Sequence, residues 1–177
     1  MTYIALLRAI NVGGTGLLAM KDLAALAGSV GFQNARTYIQ SGNLLFESNL
    51  SKAQVQQRLA KALAEKMGRE VGVILRLPEE LEAVLDSNPF PNEPGARVAV
   101  IFLPEAVKTT EFQNITGPAG EQVRAAQSEI YVFYPEGMGR SKLKLPPSAS
   151  KGTARNINTV RKLVALSARR AEEEHEK

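Results

Sequence analysis

The chain has 177 residues, 44% apolar and 23% charged, with 22 Lys and Arg against 18 Asp and Glu for a net charge of +4. That length and balance fit an ordinary globule built as one compact domain or two small packed ones. Having no cysteine, it excludes a disulfide framework, a thiolate nucleophile and a cysteine-bound zinc or iron–sulfur site, and its single histidine, His175, sits in a Glu-rich tail, a poor place for a general base or metal ligand.

The elements follow in chain order. Residues 3–8 read as a first strand; the run from Thr2 to Leu7 ends at Arg8 and lacks the basic region and cleavage site of a signal peptide. No segment approaches the roughly 20 apolar residues of a membrane span, so a cytoplasmic protein with no membrane partner is expected. After a glycine-rich loop, Met20, Leu23, Leu26, Ala27 and Val30 recur at helical spacing, with Gly31 and Phe32 as the stop. Residues 35–40 and 44–47 read as two strands of a hairpin turned by Ser41-Gly42-Asn43, with a type II′ turn led by Gly42. The next helix carries a complete start signal. Ser51 and Gln54 fit a capping box, Leu50 and Val55 a hydrophobic staple, and Gly68 the end. Residues 71–77 close a β-α-β-β-α-β order, the split βαβ of ferredoxin-like domains.

The second half starts with a short helix opened by Pro78 and closed by Asn88-Pro89, followed by a Pro-rich stretch over residues 88–96. Residues 98–103 read as a central apolar strand, 105–113 as a weak helix, and 122–126 and 130–134 as strands. Residues 137–150 read as loop, and the last helix is predicted from Thr153 to Arg169 with Ile157, Val160, Leu163 and Val164 inward. The predicted fold is thus α+β: a ferredoxin-like βαββαβ subdomain over residues 1–77 and a second, smaller α+β subdomain over 78–177 (a helix, then β-α-β-β-α). The tail of the second half looks like the first half with its last strand missing.

Three polar segments end apolar runs: residues 8–14, 38–43 and 152–159. In a ferredoxin-like sheet the first and third strands are antiparallel neighbours, which brings Asn11, Gly13 and Gly14 beside Ser41 and Asn43, with Arg8 and Gln40 close to the same edge. Paired glycines expose backbone N–H groups and permit positive φ, a common way to make an anion nest. They match neither the dinucleotide fingerprint nor a Walker A loop, and a plain strand-to-helix turn accounts for them as well. In the third segment Thr153 reads as an N-cap, which clusters Thr153, Arg155 and Asn156 round a helix N-terminus, where Arg155 would grip a phosphate or carboxylate; a solvated basic helix is the alternative. Residues 137–171 contain no Asp or Glu but carry Arg140, Lys142, Lys144, Lys151 and Arg155 among others, the footprint of an anion site or of a solvated face.

Catalytic groups are scarce. Glu79, Glu80 and Glu82, like Glu172 to Glu174, read as solvated helix faces, and Ser41 and Ser141 have no nearby histidine. Tyr131, Phe133 and Tyr134 on a late strand fit core packing better than base stacking. The best-supported expectation is a metal-free binding module, without cofactor, for a phosphorylated small molecule or nucleotide. Its ligand residues would be Arg8, Asn11, Gly13, Gly14, Gln40, Ser41, Asn43, Lys142, Lys151, Thr153, Arg155 and Asn156. The alternatives are an enzyme that clamps a phosphate-bearing substrate electrostatically, and a nucleic-acid or protein interaction domain.

At the same three segments the chain resembles a bacterial family known as domain of unknown function 1697. Its members look like Arg-Gly-Ile-Asn-Val-Gly-Gly, Thr-Tyr-Ile-Gln-Ser-Gly-Asn and Thr-x-Arg-Asn-Trp-Asn-Thr, which stand here at residues 8–14, 37–43 and 153–159. Ala9 replaces the usual glycine and Ile157 the usual tryptophan. The resemblance implies an α+β fold with two linked subdomains. It brings with it no reaction, substrate or catalytic residue.

Overall fold

The structure is a computed structural model that describes residues 1–10 and 18–175. By internal contacts the chain divides into two compact units, Met1–Glu80 with Ala165–Lys177, and Leu81–Val164.

In the first unit β1 (Thr2–Arg8), α1 (Met20–Ser29), β2 (Gln33–Tyr38), β3 (Asn43–Glu47), α2 (Lys52–Met67) and β4 (Gly72–Arg76) follow the βαββαβ order predicted. Their sheet has the order β2-β3-β1-β4, and each adjacent pair is antiparallel. Tyr3, Ala5 and Leu7 alternate along β1 and pack with Leu23 and Ala27 of α1 and Val55, Leu59 and Leu63 of α2. Phe46 stacks on Phe32, with ring centres 4.4 Å apart. The opposite set, Ile4 and Leu6, is equally buried, so this sheet has no solvated face at its centre.

The capping box forms as read: Ser51 Oγ accepts from the Gln54 N–H while Gln54 Oε1 accepts from the Ser51 N–H. Gly68 ends α2 in the left-handed region. The hairpin differs from its prediction. The strands end at Tyr38 and resume at Asn43, so four residues, Ile39 to Gly42, make the turn, and Gly42 closes it instead of leading a two-residue one.

In the second unit α3 (Pro78–Asp86), whose first three residues belong to the first unit by contacts, precedes β5 (Val98–Phe102), β6 (Gln122–Ala125), β7 (Glu129–Phe133), β8 (Thr153–Asn156) and α4 (Ile157–His175), which from Ala165 onward belongs to the first unit. The sheet order is β6-β7-β5-β8, again antiparallel throughout. Numbered within its own sheet, this is the 2-3-1-4 order of the first unit. The strand that looked missing is Thr153–Asn156, read from sequence as the first turn of the last helix.

Two further elements differ from their prediction. Thr153 is not an N-cap, because residues 153–156 pair with β5; Asn156 caps α4 instead, its Oδ1 accepting the Thr159 N–H at 2.9 Å. The helix expected over 105–113 shrinks to one 3-10 turn, Thr109–Phe112, which buries Phe112. Ile157, Val160 and Leu163 are fully buried, as predicted. The position where the family carries tryptophan is therefore a packing position.

A carboxylate holds the loops of this unit. Glu121, 1% exposed, accepts from the Ser141 hydroxyl at 2.8 Å and from the Ala119 N–H at 2.9 Å. The Ser141 bond, with the backbone bonds, holds its carboxyl below the usual range against the opposing pull of burial. A carboxyl lowered by folding adds stability above its ordinary pKa of 4.5 and loses it as pH falls through the folded value. Ser141→Ala is expected to flatten that acid limb. Urea midpoints measured from neutral pH down through this range check it; identical pH profiles for the two chains would contradict the assignment.

Candidate functional site

The described start of the first polar segment, residues 8–10, meets the second segment at one edge of the first unit. The Leu7 N–H donates to the Gly42 carbonyl at 2.9 Å, which ties the end of β1 to the hairpin turn. Gly42 has φ +88°, and a β-carbon there would lie 2.6 Å from Ile10 Cγ2 and 3.1 Å from Leu7 Cβ. Only a glycine lets turn and strand approach this closely without displacement.

Two residues at this junction that are not glycine share the left-handed region: Ala9 at φ 53° and Ile39 at φ 51°. For an alanine that conformation costs about 1–2 kcal/mol, and for a β-branched residue it is an outlier. Position 9 is where the family carries glycine. Ala9→Gly is therefore expected to raise stability by about 0.5–1 kcal/mol, the relief of strain less the extra unfolded-state entropy of glycine. A higher urea midpoint at unchanged slope is the predicted readout; a lower midpoint would contradict the strain.

Arg8 closes β1 and is exposed. It pairs with Gly72 of β4, where a β-carbon would lie 3.0 Å from Arg8 Cβ and 3.4 Å from its Cδ, so the bare glycine gives the arginine stem its seat. Gln40 and Ser41 are exposed on the turn, Gln40 outside the strand it was expected to end. Asn43 is different. It is wholly buried, and its amide donates to the Tyr38 carbonyl at 2.8 Å and to Ser41 Oγ at 3.0 Å, so it builds the turn. Asn11, Gly13 and Gly14 lie outside the described residues.

Sequence reasoning missed Arg69. Its Nη2 donates to the Ala9 carbonyl at 3.0 Å and reaches that of Ile10 at 3.5 Å, which fastens the left-handed backbone and adds a second exposed guanidinium beside Arg8. Nothing local marks it, because it follows Gly68 in the connection after α2 and meets residue 9 only through the fold.

The third segment lies in the second unit. Arg155 sits on β8, 6% exposed, with Nη1 donating to Thr153 Oγ1 at 2.7 Å and to the Ala154 carbonyl at 2.9 Å. It shares a row with Val100 and Tyr131 on one sheet face. Burial brings its pKa down to about 10. It is thus a strand residue that precedes the Asn156 cap, with its side chain nearly all buried, and Thr153 and Asn156 are likewise engaged in building the sheet and the cap. Tyr131 is buried with its hydroxyl on the Val84 carbonyl, its pKa pushed up to about 12 by burial and then by the charge of Glu129. Phe133 packs on Phe90. Lys142 is exposed in a loop, and Lys151 lines a small pocket beside Lys108.

Among the described residues no three His, Cys, Asp or Glu side chains gather as a metal site, and no helix is long and apolar enough to cross a membrane.

Two antiparallel four-stranded sheets, the first in a ferredoxin-like unit, place the chain in the α+β class. The chain belongs to the family described as Protein of unknown function (DUF1697), whose model matches residues 1–131. In structure it is similar to the "conserved bacterial protein SP0830 from Streptococcus pneumoniae", with a TM-score of 0.73 and 24% identity over 93% of this chain and 97% of that one. That likeness concerns the fold. No curated protein matches the sequence.

Proposed function

We propose that the chain is a binding module for a phosphate-bearing small molecule, held at the edge where β1 meets the 39–42 turn. The observation that carries the reading is the meeting of two left-handed residues that are not glycine, Ala9 and Ile39, at one junction under an exposed arginine. Strain of this kind persists where surrounding structure enforces it, and it collects at ligand sites. Arg8 supplies a planar fork for two phosphate oxygens, Ser41 a hydroxyl and Gln40 an amide. Arg69 keeps the local potential positive, and such a field raises the encounter rate of an anion.

Inorganic pyrophosphate is the simplest probe. It is expected to raise the melting temperature of the full chain, and Arg8→Ala is expected to weaken its binding by roughly tenfold or more while leaving the unliganded stability within about 0.5 kcal/mol. Calorimetry with both chains checks this. Equal affinity for the two, or no saturable binding to either, would overturn the reading.

A further inference from the structure

The second unit contains a separate concavity of about 220 Å3 between the loop that follows β5, residues 103–108, and the 3-10 turn Pro147–Lys151. Gly152 makes the approach of the two: a β-carbon there would lie 2.6 Å from Ile101 Cγ2 and 2.7 Å from the Phe102 carbonyl oxygen, so any larger residue drives the turn away from β5. The base of the pocket is apolar, with Leu103 belonging to the core cluster beneath it and the partly buried Val107 packed against that cluster.

Its polar lining has both signs. Lys108 and Lys151 bring two ammonium groups, and Glu105 and Glu111 two carboxylates. Glu111 is engaged, accepting from the Ser148 hydroxyl at 3.0 Å. Among the described residues, the side chains of Lys108, Lys151 and Glu105 make neither a hydrogen bond nor an ion pair within the chain. A nucleotide or sugar phosphate fits this lining poorly: the volume is below the roughly 300–1,000 Å3 of pockets that enclose drug-sized ligands, and Glu105 would repel a phosphate. A ligand that satisfies every wall is small, carries one carboxylate and one ammonium, and has a short apolar body.

We propose that this pocket binds a free aliphatic α-amino acid, its carboxylate between Lys108 and Lys151, its ammonium at Glu105 and its side chain over Leu103 and Val107. The site is independent of the phosphate edge in the first unit, so either can fail without the other.

The test is a titration of the isotope-labelled full chain, followed by amide NMR, with L-leucine and with two truncated probes: 4-methylpentanoate, which lacks the ammonium, and leucinamide, which lacks the carboxylate. Leucine is expected to give saturable shifts in the amides of residues 103–111 and 148–152. Each truncated probe should bind roughly tenfold more weakly, and so should leucine to Lys151→Gln and to Glu105→Gln. Both substitutions are on exposed side chains, so the fold is retained. The absence of saturable shifts at millimolar leucine would overturn the proposal. So would equal binding of 4-methylpentanoate, which would make this a simple anion site, or leucine shifts confined to other residues.

Discussion

Gly42→Ala is expected to destabilise the chain by about 2–5 kcal/mol. The figure joins the about 1–2 kcal/mol cost of a left-handed alanine to the about 1–3 kcal/mol of forcing a methyl group into a packed contact. Both parts rest on observed geometry: φ is +88°, and the new carbon would meet Ile10 Cγ2 at 2.6 Å. Relief requires the turn to move off β1, which breaks the Leu7 to Gly42 hydrogen bond and carries Ser41 and Gln40 away from Arg8. The variant should therefore lose pyrophosphate affinity together with stability. Ala9→Gly serves as the control, since it changes the same junction in the opposite direction. Urea unfolding measures the first effect and calorimetry the second. A Gly42→Ala chain as stable as the wild type would mean that turn and strand are not in contact as described.

The second large effect concerns Arg155, where a structural and a ligand-binding role predict different outcomes. As a buried guanidinium bonded to Thr153 and the Ala154 carbonyl, it should cost about 2–4 kcal/mol when truncated to alanine, through lost packing and lost charged hydrogen bonds. Arg155→Met keeps most of the volume and removes a charge whose burial is itself unfavourable, so it should return to within about 1.5 kcal/mol of wild type. Neither variant should alter pyrophosphate affinity measured on folded protein. An alanine variant of full stability that has lost pyrophosphate binding would restore Arg155 to the ligand set and contradict its place in the sheet.

How far the sequence spoke depended on whether a residue's role was local. The capping box at Ser51 and Gln54 was readable because both partners lie within one turn of each other, and Gly68 was readable as its far end. The βαββαβ order followed from apolar periodicity, and with it came the adjacency of β1 and β3 that joins Arg8 to the 39–42 turn. β8 was not legible. It is four residues long, its buried positions are Thr153 and Arg155, and a polar pair before an apolar helix reads as a cap followed by a charged first turn. Asn156 is as good a cap as Thr153, so propensity could not decide between them; pairing with β5 did. Asn43 misled for the same reason. An asparagine beside a turn glycine looks solvent-directed, yet its amide is spent on the Tyr38 carbonyl and Ser41 Oγ inside the fold. Arg69 and the pocket beside Lys151 depend on contacts between distant parts of the chain, which no periodicity encodes. The strain at Ala9 was half visible: the family glycine marked the position, and the backbone angle supplied the cause.

The measurement that bears most directly on the proposed function is an amide-resolved NMR titration of the labelled full chain with inorganic pyrophosphate. Saturable shifts at Arg8 and at residues 39–42, abolished in Arg8→Ala, are the predicted result. Shifts that leave Arg8 and the turn unmoved, or that persist unchanged in Arg8→Ala, would contradict it.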